Sequence, residues 1–280
     1  MPDDPPAHHT APSSPDGGRL PDEHTENADS AAVDGNIHVG YWDSAADHRS
    51  LDQATDRLTD LVAGRLAAAP GRHLLDVGCG TGRPALRIAR ATGARVSGIS
   101  VSEQDIDLAR TRADATALAD RVDFRYADAC ALPFEAGSFD GAWAIESMMH
   151  IPDRTAALTE IARTLRPGSP LVITDVLIRS PVTGDAAEIV RRTSRAFGSP
   201  SLPEPTGLRT ALERAGLEVV EFHDIGEHVR RTYQAFADAF ADVAPSADDR
   251  HHEFFDFTRS LPRFGALPQV GYAFVVARRP

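Results

Sequence analysis

The sequence predicts a doubly wound α/β fold, and three observations carry that reading. An apolar run from His73 to Val77 has the length of a buried strand. It breaks into Gly78-Cys79-Gly80-Thr81-Gly82, and Arg83-Pro84-Ala85-Leu86-Arg87-Ile88-Ala89 then reads as a helix, with Pro84 tolerated in its first turn. Downstream, apolar runs and helical segments alternate as far as Ile178, the rhythm of a parallel sheet whose crossover helices cover both faces. Glycines in the first turn let the backbone bend sharply and approach a ligand, and the helix start offers free N–H groups. Ligands are expected at the carboxyl ends of the strands.

Taken in order, residues 1–34 are rich in Pro, Asp, Ser and His and nearly lack large apolar side chains, so they are expected to form a disordered tail. His8, His9 and Glu23-His24 are read there as solvated groups rather than metal ligands. A single domain is expected over 35–280. It opens with Asn36-Ile37-His38-Val39-Gly40-Tyr41-Trp42, whose paired aromatics suggest a packed or ligand-facing segment. Leu51, Ala54, Leu58, Leu61, Val62 and Leu66 recur at helical spacing, and Pro70-Gly71 ends that helix. Arg95 to Ser100 is the second strand, and Ser102 caps a helix running to about Ala119. Val122 to Ala127 and Phe139 to Ile145 are the third and fourth strands. Asp153 to Leu165 is a helix stopped by Arg166-Pro167-Gly168, and Leu171 to Ile178 is the fifth strand. Beyond Ser180 the rhythm stops: Pro181, Pro200, Pro203 and Pro205 surround a helical patch from Ala186 to Ala196. Thr206 is read as the cap of a helix to Ala215, and the last strands are Leu217 to Ile225 and Val270 to Ala277. Helical patches near Tyr233–Val243 and Asp248–Leu261 separate them. Long insertions inside a compact domain are usually functional, so segments of about 180–206 and 226–269 are read as a lid over an acceptor pocket.

Composition narrows the partners. The net charge is −12, yet residues 1–34 hold eight acids against Arg19 alone, so the domain itself is only mildly acidic. It shows no basic stripe, which argues against nucleic acid. No apolar run reaches membrane-spanning length and the polar start lacks a signal-peptide core, so a cytoplasmic address is expected. Cys79 and Cys130 have neither disulfide nor metal spacing, and His251-His252-Glu253 lacks a third partner, so no metal site is expected.

The acid two residues before the first glycine sharpens the turn. Asp76-Val77-Gly78-Cys79-Gly80-Thr81-Gly82 resembles motif I of class I S-adenosylmethionine (SAM) methyltransferases, where a sulfonium cation replaces a pyrophosphate. In that reading Asp76 orients the turn and meets the ligand's amino group; the plainer alternative is a turn-stabilising acid. The second strand ends in Gly98-Ile99-Ser100-Val101-Ser102, where most nucleotide folds place an acid on the ribose hydroxyls. Ser100 departs from that rule and weakens an NAD reading, while G-I-S-x-S resembles the branch of natural-product methyltransferases and cyclopropane synthases. Asp128-Ala129, followed by Leu132-Pro133-Phe134, resembles the superfamily's adenine-binding segment, although a lone Asp after a strand also serves as a turn former. The fourth strand leads into Glu146-Ser147-Met148-Met149-His150-Ile151-Pro152-Asp153. O-methylation profits from a general base there, because a protonated hydroxyl is a poor nucleophile, and His150 is the loop's one histidine. Its alternative is a packing or capping role. Asp175, a lone acid in an apolar strand, orients His150, contacts the acceptor's hydroxyl or is satisfied by backbone N–H groups.

From Asn36 to Pro280 the chain resembles the rebeccamycin-type sugar O-methyltransferases of antibiotic biosynthesis. The carrying motifs are N-I-H-V-G-Y-W, L-D-V-G-C-G-T-G-R-P-A, V-S-G-I-S-V-S, Y-A-D-A-C-A-L-P-F, F-D-G-A-W-A-I-E-S-M-M-H-I-P-D and G-Y-A-F-V-V-A-R-R-P. The resemblance implies a Rossmann-like seven-stranded sheet with a helical lid. It also implies SAM as donor, S-adenosylhomocysteine (SAH) as product, and a small glycoside, polyketide or alkaloid acceptor. It places the base at His150 with Asp175 as its companion. The cofactor falls to Tyr41, Trp42, Asp76, Gly78, Cys79, Gly80, Gly82, Ile99, Ser100, Asp128, Ala129 and Glu146. Two departures stand out: Met149-His150 replaces the family's frequent histidine pair, and a polar tail replaces an aromatic-bearing helix before Asn36. N- or C-methylation is the alternative chemistry, and a non-catalytic SAM-binding module the alternative class. A monomer or homodimer is expected.

Overall fold

The computed structural model describes residues 38–199, 201–239 and 249–280, and only the backbone for 249–256. The acidic tail, Asn36-Ile37 and the side chains of His251-His252-Glu253 lie outside the described residues.

The first helix, α1 (Leu51–Ala63), starts where Ser50 accepts the Gln53 N–H while Gln53 returns the bond to the Ser50 N–H, a reciprocal cap. The alternating core follows as β1 (His73–Val77), α2 (Arg83–Thr92), β2 (Arg95–Ser100), α3 (Glu103–Asp114), β3 (Val122–Tyr126) and β4 (Gly141–Ile145). Then come a 3-10 turn (Met148–His150), α4 (Arg154–Thr164) and β5 (Pro170–Ile178). The last part comprises α5 (Gly184–Ala196), α6 (Pro205–Arg214), β6 (Glu218–Asp224), α7 (Gly226–Val229), α8 (Arg231–Ala239), α9 (Asp249–Gly265) and β7 (Val270–Arg278).

Seven strands form one sheet in the order β3-β2-β1-β4-β5-β7-β6. Strands β1 to β5 are parallel, as expected, but β7 runs antiparallel to both β5 and β6. The insertion explains this departure from a parallel sheet. β6 runs with the parallel strands and ends on their carboxyl side, and α7 to α9 let the chain re-enter from that same end. The insertion therefore starts and finishes at the ligand end of the sheet.

Both faces are covered. Leu58 and Val62 of α1, Leu86 and Ile88 of α2 and Ile106 of α3 join one apolar cluster. Leu158 and Ile161 of α4 with Leu208 and Leu212 of α6 join the other. Trp143, Tyr272, Phe139 and Phe264 are the largest fully buried side chains. Among the described residues no helix is long and apolar enough to cross a membrane, and no group of three or more His, Cys, Asp or Glu side chains is placed to hold a metal ion.

Several boundaries differ from the sequence reading, and three of them have a visible cause. α3 stops at Asp114 rather than near Ala119, because Arg121 and Val122 donate to the Leu118 carbonyl and turn the chain into β3. β4 begins at Gly141 rather than Phe139: Phe139 makes one isolated bridge to Leu165, and the Asp140 carboxylate accepts the His73 N–H at 2.9 Å. Glu204, not Thr206, occupies the cap position of α6, since Pro205 takes the first-turn site where its missing N–H costs nothing.

Gly98 is the tightest point between β2 and the glycine turn. A Cβ there would lie 2.6 Å from Phe124 Cδ1 and 2.9 Å from Cys79 Cβ. Gly98→Ala is expected to destabilise the fold by about 1–3 kcal/mol through overpacking, read from urea unfolding. Unchanged stability would show that the Phe124 ring moves aside freely.

Candidate active site

The site is built on the turn after β1. Gly78, Gly80 and Gly82 take φ of +78°, +48° and +82°, a region that side chains disfavour. The Gly78 and Cys79 N–H groups donate to the Ile99 carbonyl at 2.9 and 2.8 Å, tying the turn to the end of β2. A Cβ on Gly78 would fall 2.3 Å from Ser147 Cβ, and one on Gly82 would fall 2.7 Å from Phe124 Cζ. These two glycines are thus demanded by the protein's own packing as well as by their dihedrals. Gly82 caps α2 without a side chain, so the first-turn N–H groups have no side-chain cap. Cys79 and Ile99 are both buried and contribute backbone; burial pushes the Cys79 thiol well up.

Asp76 closes β1, in register with Gly98 of β2 and Trp143 of β4. It is 2% exposed, and burial raises its carboxyl well above the usual carboxylate range. The Trp143 indole pulls the other way without completing a bond: Asp76 Oδ2 and Trp143 Nε1 are both buried and lack a hydrogen-bond partner among the described residues.

Around the next strand ends, Ser100 Oγ accepts the Ser102 N–H at 3.2 Å, and Ser102 in turn caps α3 by accepting from Asp105 N–H. Asp128 is exposed beyond β3; its Oδ1 accepts the Cys130 N–H at 2.8 Å. That bond makes it a turn former and leaves Oδ2 for a further contact. Ala129 beside it is buried.

Glu146 follows β4 in the left-handed region, with φ +50°. Its N–H donates to the Thr174 carbonyl, while Oε1 accepts the Val39 N–H at 2.8 Å and the Tyr272 hydroxyl at 2.7 Å. Burial pushes the carboxyl up to about 7, against the pull of those two donors. Next to it Ser147 Oγ donates to the Val77 carbonyl at 2.5 Å, locking the β4 loop onto the glycine turn.

His150 lies on the exposed side of the 3-10 turn, whereas Met148 and Met149 point inward. Asp175 is 1% exposed on β5; Oδ1 accepts its neighbour's N–H from Val176 at 2.9 Å, and Oδ2 has no partner among the described residues. Burial, then the Glu146 charge, raise its pKa well above the carboxylate range, opposed by the N–H groups of Val176 and Met149 and by Arg154. Trp42 is packed, donating from Nε1 to the Arg49 carbonyl at 3.0 Å under the Arg231 guanidinium. Tyr41 is half-buried and stacks on His228, ring centroids 4.6 Å apart.

The structure adds residues that the motifs did not mark. Thr232 and His228 hold the entry segment, Oγ1 accepting the Gly40 N–H at 2.9 Å and the His228 carbonyl accepting the Trp42 N–H at 3.0 Å. Tyr272 donates to Glu146, and Tyr233 is buried with its hydroxyl unpartnered among the described residues. Tyr272 sat inside a quoted motif as one more apolar strand residue, and Tyr233 inside a helical patch; neither spacing signals a polar role.

This arrangement brings together a glycine turn after β1, two buried acids on β1 and β5 and a half-buried acid after β4. Residues 75–173 match the family model of a methyltransferase domain. The chain is 38% identical to Methyltransferase GfsG of Streptomyces halstedii, over 88% of this chain and 87% of that protein. It is 40% identical to 27-O-demethylrifamycin SV methyltransferase of Amycolatopsis mediterranei, over 88% of this chain and 90% of the relative. Among solved structures the 4+2 cyclase SpnF superposes with a TM-score of 0.78 at 35% identity, covering 88% of this chain and 89% of that one. The chain belongs to the methyltransferase family, with relatives in secondary metabolism.

The raised Glu146 carboxyl fixes a sign for pH. A folded pKa of about 7 against an ordinary 4.5 means that its stabilising contribution is complete below 4.5 and is lost as pH rises through 7. The stability of the wild type relative to Glu146→Gln is therefore expected to fall across that window, by on the order of 3 kcal/mol in total. Urea unfolding of both proteins from pH 4.5 to 8 checks this; a difference independent of pH would remove the buried-acid account.

Proposed function

We propose that the protein transfers the methyl group of SAM to a hydroxyl of a small natural-product acceptor, leaving SAH. The observation that carries the reading is Asp76 Oδ2, buried and unpartnered beside a glycine turn whose helix start has no side-chain cap. An acid there suits a cationic amino group, and the open N–H groups suit a carboxylate. Asp76, the Gly78–Gly82 backbone, Ser100, Asp128, Ala129 and Glu146 are the proposed donor contacts, with Tyr41 and Trp42 supporting the entry segment above them. When bound, the sulfonium supplies an electrophilic methyl carbon.

The chain's own work is to hold the acceptor hydroxyl in line and to take its proton. Alignment of this kind is worth up to about 7–11 kcal/mol in well-oriented cases. His150, at the open face of the turn after β4, is the proposed general base. As the O–H bond breaks its proton goes to the imidazole, the new O–C bond forms, and the C–S bond breaks to leave a neutral thioether. Asp175, whose buried Oδ2 has no partner among the described residues, is the proposed companion of His150. The name of the Amycolatopsis relative contains an O-demethyl acceptor, which supports oxygen as the methylated atom. Glycosides of the rebeccamycin type, polyketides and alkaloids are the acceptor classes proposed.

The reading is tested by turnover of isotopically labelled SAM against hydroxylated glycosides, polyketides, phenols and amines, followed by mass spectrometry. Label on a hydroxyl supports it; label only on nitrogen or carbon replaces it with the alternative methylation. Bound SAM without any label would point to a non-transferring member; the 4+2 cyclase SpnF shares the fold.

Two substitutions separate the halves of the site. Gly80→Val, at φ +48°, is expected to abolish SAM binding in calorimetry, and unchanged affinity would remove the cradle. His150→Ala should lower turnover by roughly 100-fold or more while leaving SAM affinity within about twofold. Unchanged turnover would pass the base role to Asp175.

A further inference from the structure

Tyr233 belongs to α8, in the insertion between β6 and β7, far in sequence from every motif of the donor site. Its ring is held on two sides. Phe264 of α9 meets it edge to face, with centroids 5.5 Å apart and planes at 83°, and a Cβ on Gly265 would lie 2.3 Å from Tyr233 Cδ2. The residue is 5% exposed, yet its hydroxyl is buried without a hydrogen-bond partner among the described residues. A buried hydroxyl left unpaired destabilises the fold, and phenylalanine would pack the same space without that penalty. The hydroxyl therefore needs a reason outside the folded chain's own stability.

Its surroundings supply one. Burial, then the carboxyls of Glu146 and Asp175, push the phenol pKa up, against Arg179. The group thus stays protonated and is a hydrogen-bond donor throughout the working pH range. Geometry ties α8 to the same carboxyls: Thr232, next to Tyr233, accepts the Gly40 N–H, and Val39 beside Gly40 donates to Glu146 at the end of β4. Asp175 lies on β5 one residue beyond the register of that end, where the acceptor is proposed to sit. Tyr233 is thus a rigid donor that the insertion carries over the carboxyl ends of the parallel strands.

We propose that Tyr233 is a positioning residue of the methyl transfer, its hydroxyl donating to the acceptor oxygen and selecting oxygen over nitrogen. This rests on the O-methylation reading above. An sp3 hydroxyl oxygen has two lone pairs and one proton. One lone pair accepts from Tyr233, the second faces the methyl carbon, and the proton goes to the base. A neutral amine has a single lone pair, which cannot accept from Tyr233 and attack carbon together. A carbon nucleophile gives Tyr233 nothing to bind. The buried donor is satisfied only by an acceptor of the first kind.

Tyr233→Phe tests this with readouts that a structural role would move differently. Thermal unfolding of the full chain should give a melting temperature equal to or above wild type, and SAH affinity by calorimetry should stay within about twofold. Turnover of the hydroxylated acceptor from the labelled-SAM screen should fall at least tenfold in kcat, with hydroxyl-to-amine selectivity falling alongside. A melting temperature lowered by several degrees would make Tyr233 structural and overturn the proposal. Unchanged kcat on the hydroxyl acceptor would overturn it while leaving O-methylation intact. Wild-type label on amines alone would instead overturn the O-methylation reading, and this one with it.

Discussion

The bond network of the Glu146 carboxyl is the constraint on which the rest of the site depends. One oxygen accepts from the Val39 backbone and from the Tyr272 hydroxyl, so the entry segment, the end of β4 and strand β7 meet at a single atom. The backbone of Glu146 is bent into the left-handed region to bring its side chain there, a conformation costing of order 1–3 kcal/mol for a residue with a Cβ. That cost is sustained because the surroundings fix both ends: the Glu146 N–H is bound to Thr174 on β5, and Ser147 is bound to Val77 on β1. The turn after β4 is thus held from three strands at once. It is also the element that presents Met149 inward and His150 outward.

Three acids, the buried Asp76 and Asp175 and the half-buried Glu146, lie on the neighbouring strands β1 and β5 and just past the end of β4, and burial raises the pKa of each. No arginine or lysine pairs with Asp76 or with Glu146 in their hydrogen bonds among the described residues. Elsewhere the same chain pairs its acids readily: Arg179 bonds both oxygens of Asp224, and Arg87 bonds Asp56 and Asp60. The difference is one of location. Surface pairs neutralise themselves, whereas Asp76 is buried with one oxygen open among the described residues, which suits the cationic donor proposed above. A protein fold selected for stability alone would not leave such carboxyls buried and half satisfied.

The parallel strands, the crossover helices and the glycine turn were legible in the sequence because they are local. β1 and β2 were read to the residue, since an apolar run bounded by glycine or a cap has sharp ends. The cradle was legible because Asp76 and its glycines lie within one short motif. What the sequence did not reveal is long-range. The reversal of β7 depends on where the insertion returns, and apolar runs carry no direction. The role of Tyr272 depends on its bond to Glu146, a residue distant along the chain. Packing also revised the meaning of what was legible: Gly78 is needed where Ser147 crosses the turn, so a residue read for ligand approach also answers to a partner 69 positions away.

This division bears on how one fold serves different reactions. The proposed donor half is specified mostly by backbone: turn dihedrals, N–H groups and one acid. The fold that carries it is shared with the 4+2 cyclase SpnF at 35% identity. The proposed acceptor contacts are side chains on α8, on β5 and on the turn after β4, each set by a different stretch of chain. Because α7 to α9 lie between β6 and β7 at the carboxyl end of the parallel strands, the insertion is carried to that end without belonging to any motif of the glycine turn. A chemistry that depends on side chains of the insertion can therefore change while the sheet and the turn after β1 stay as they are.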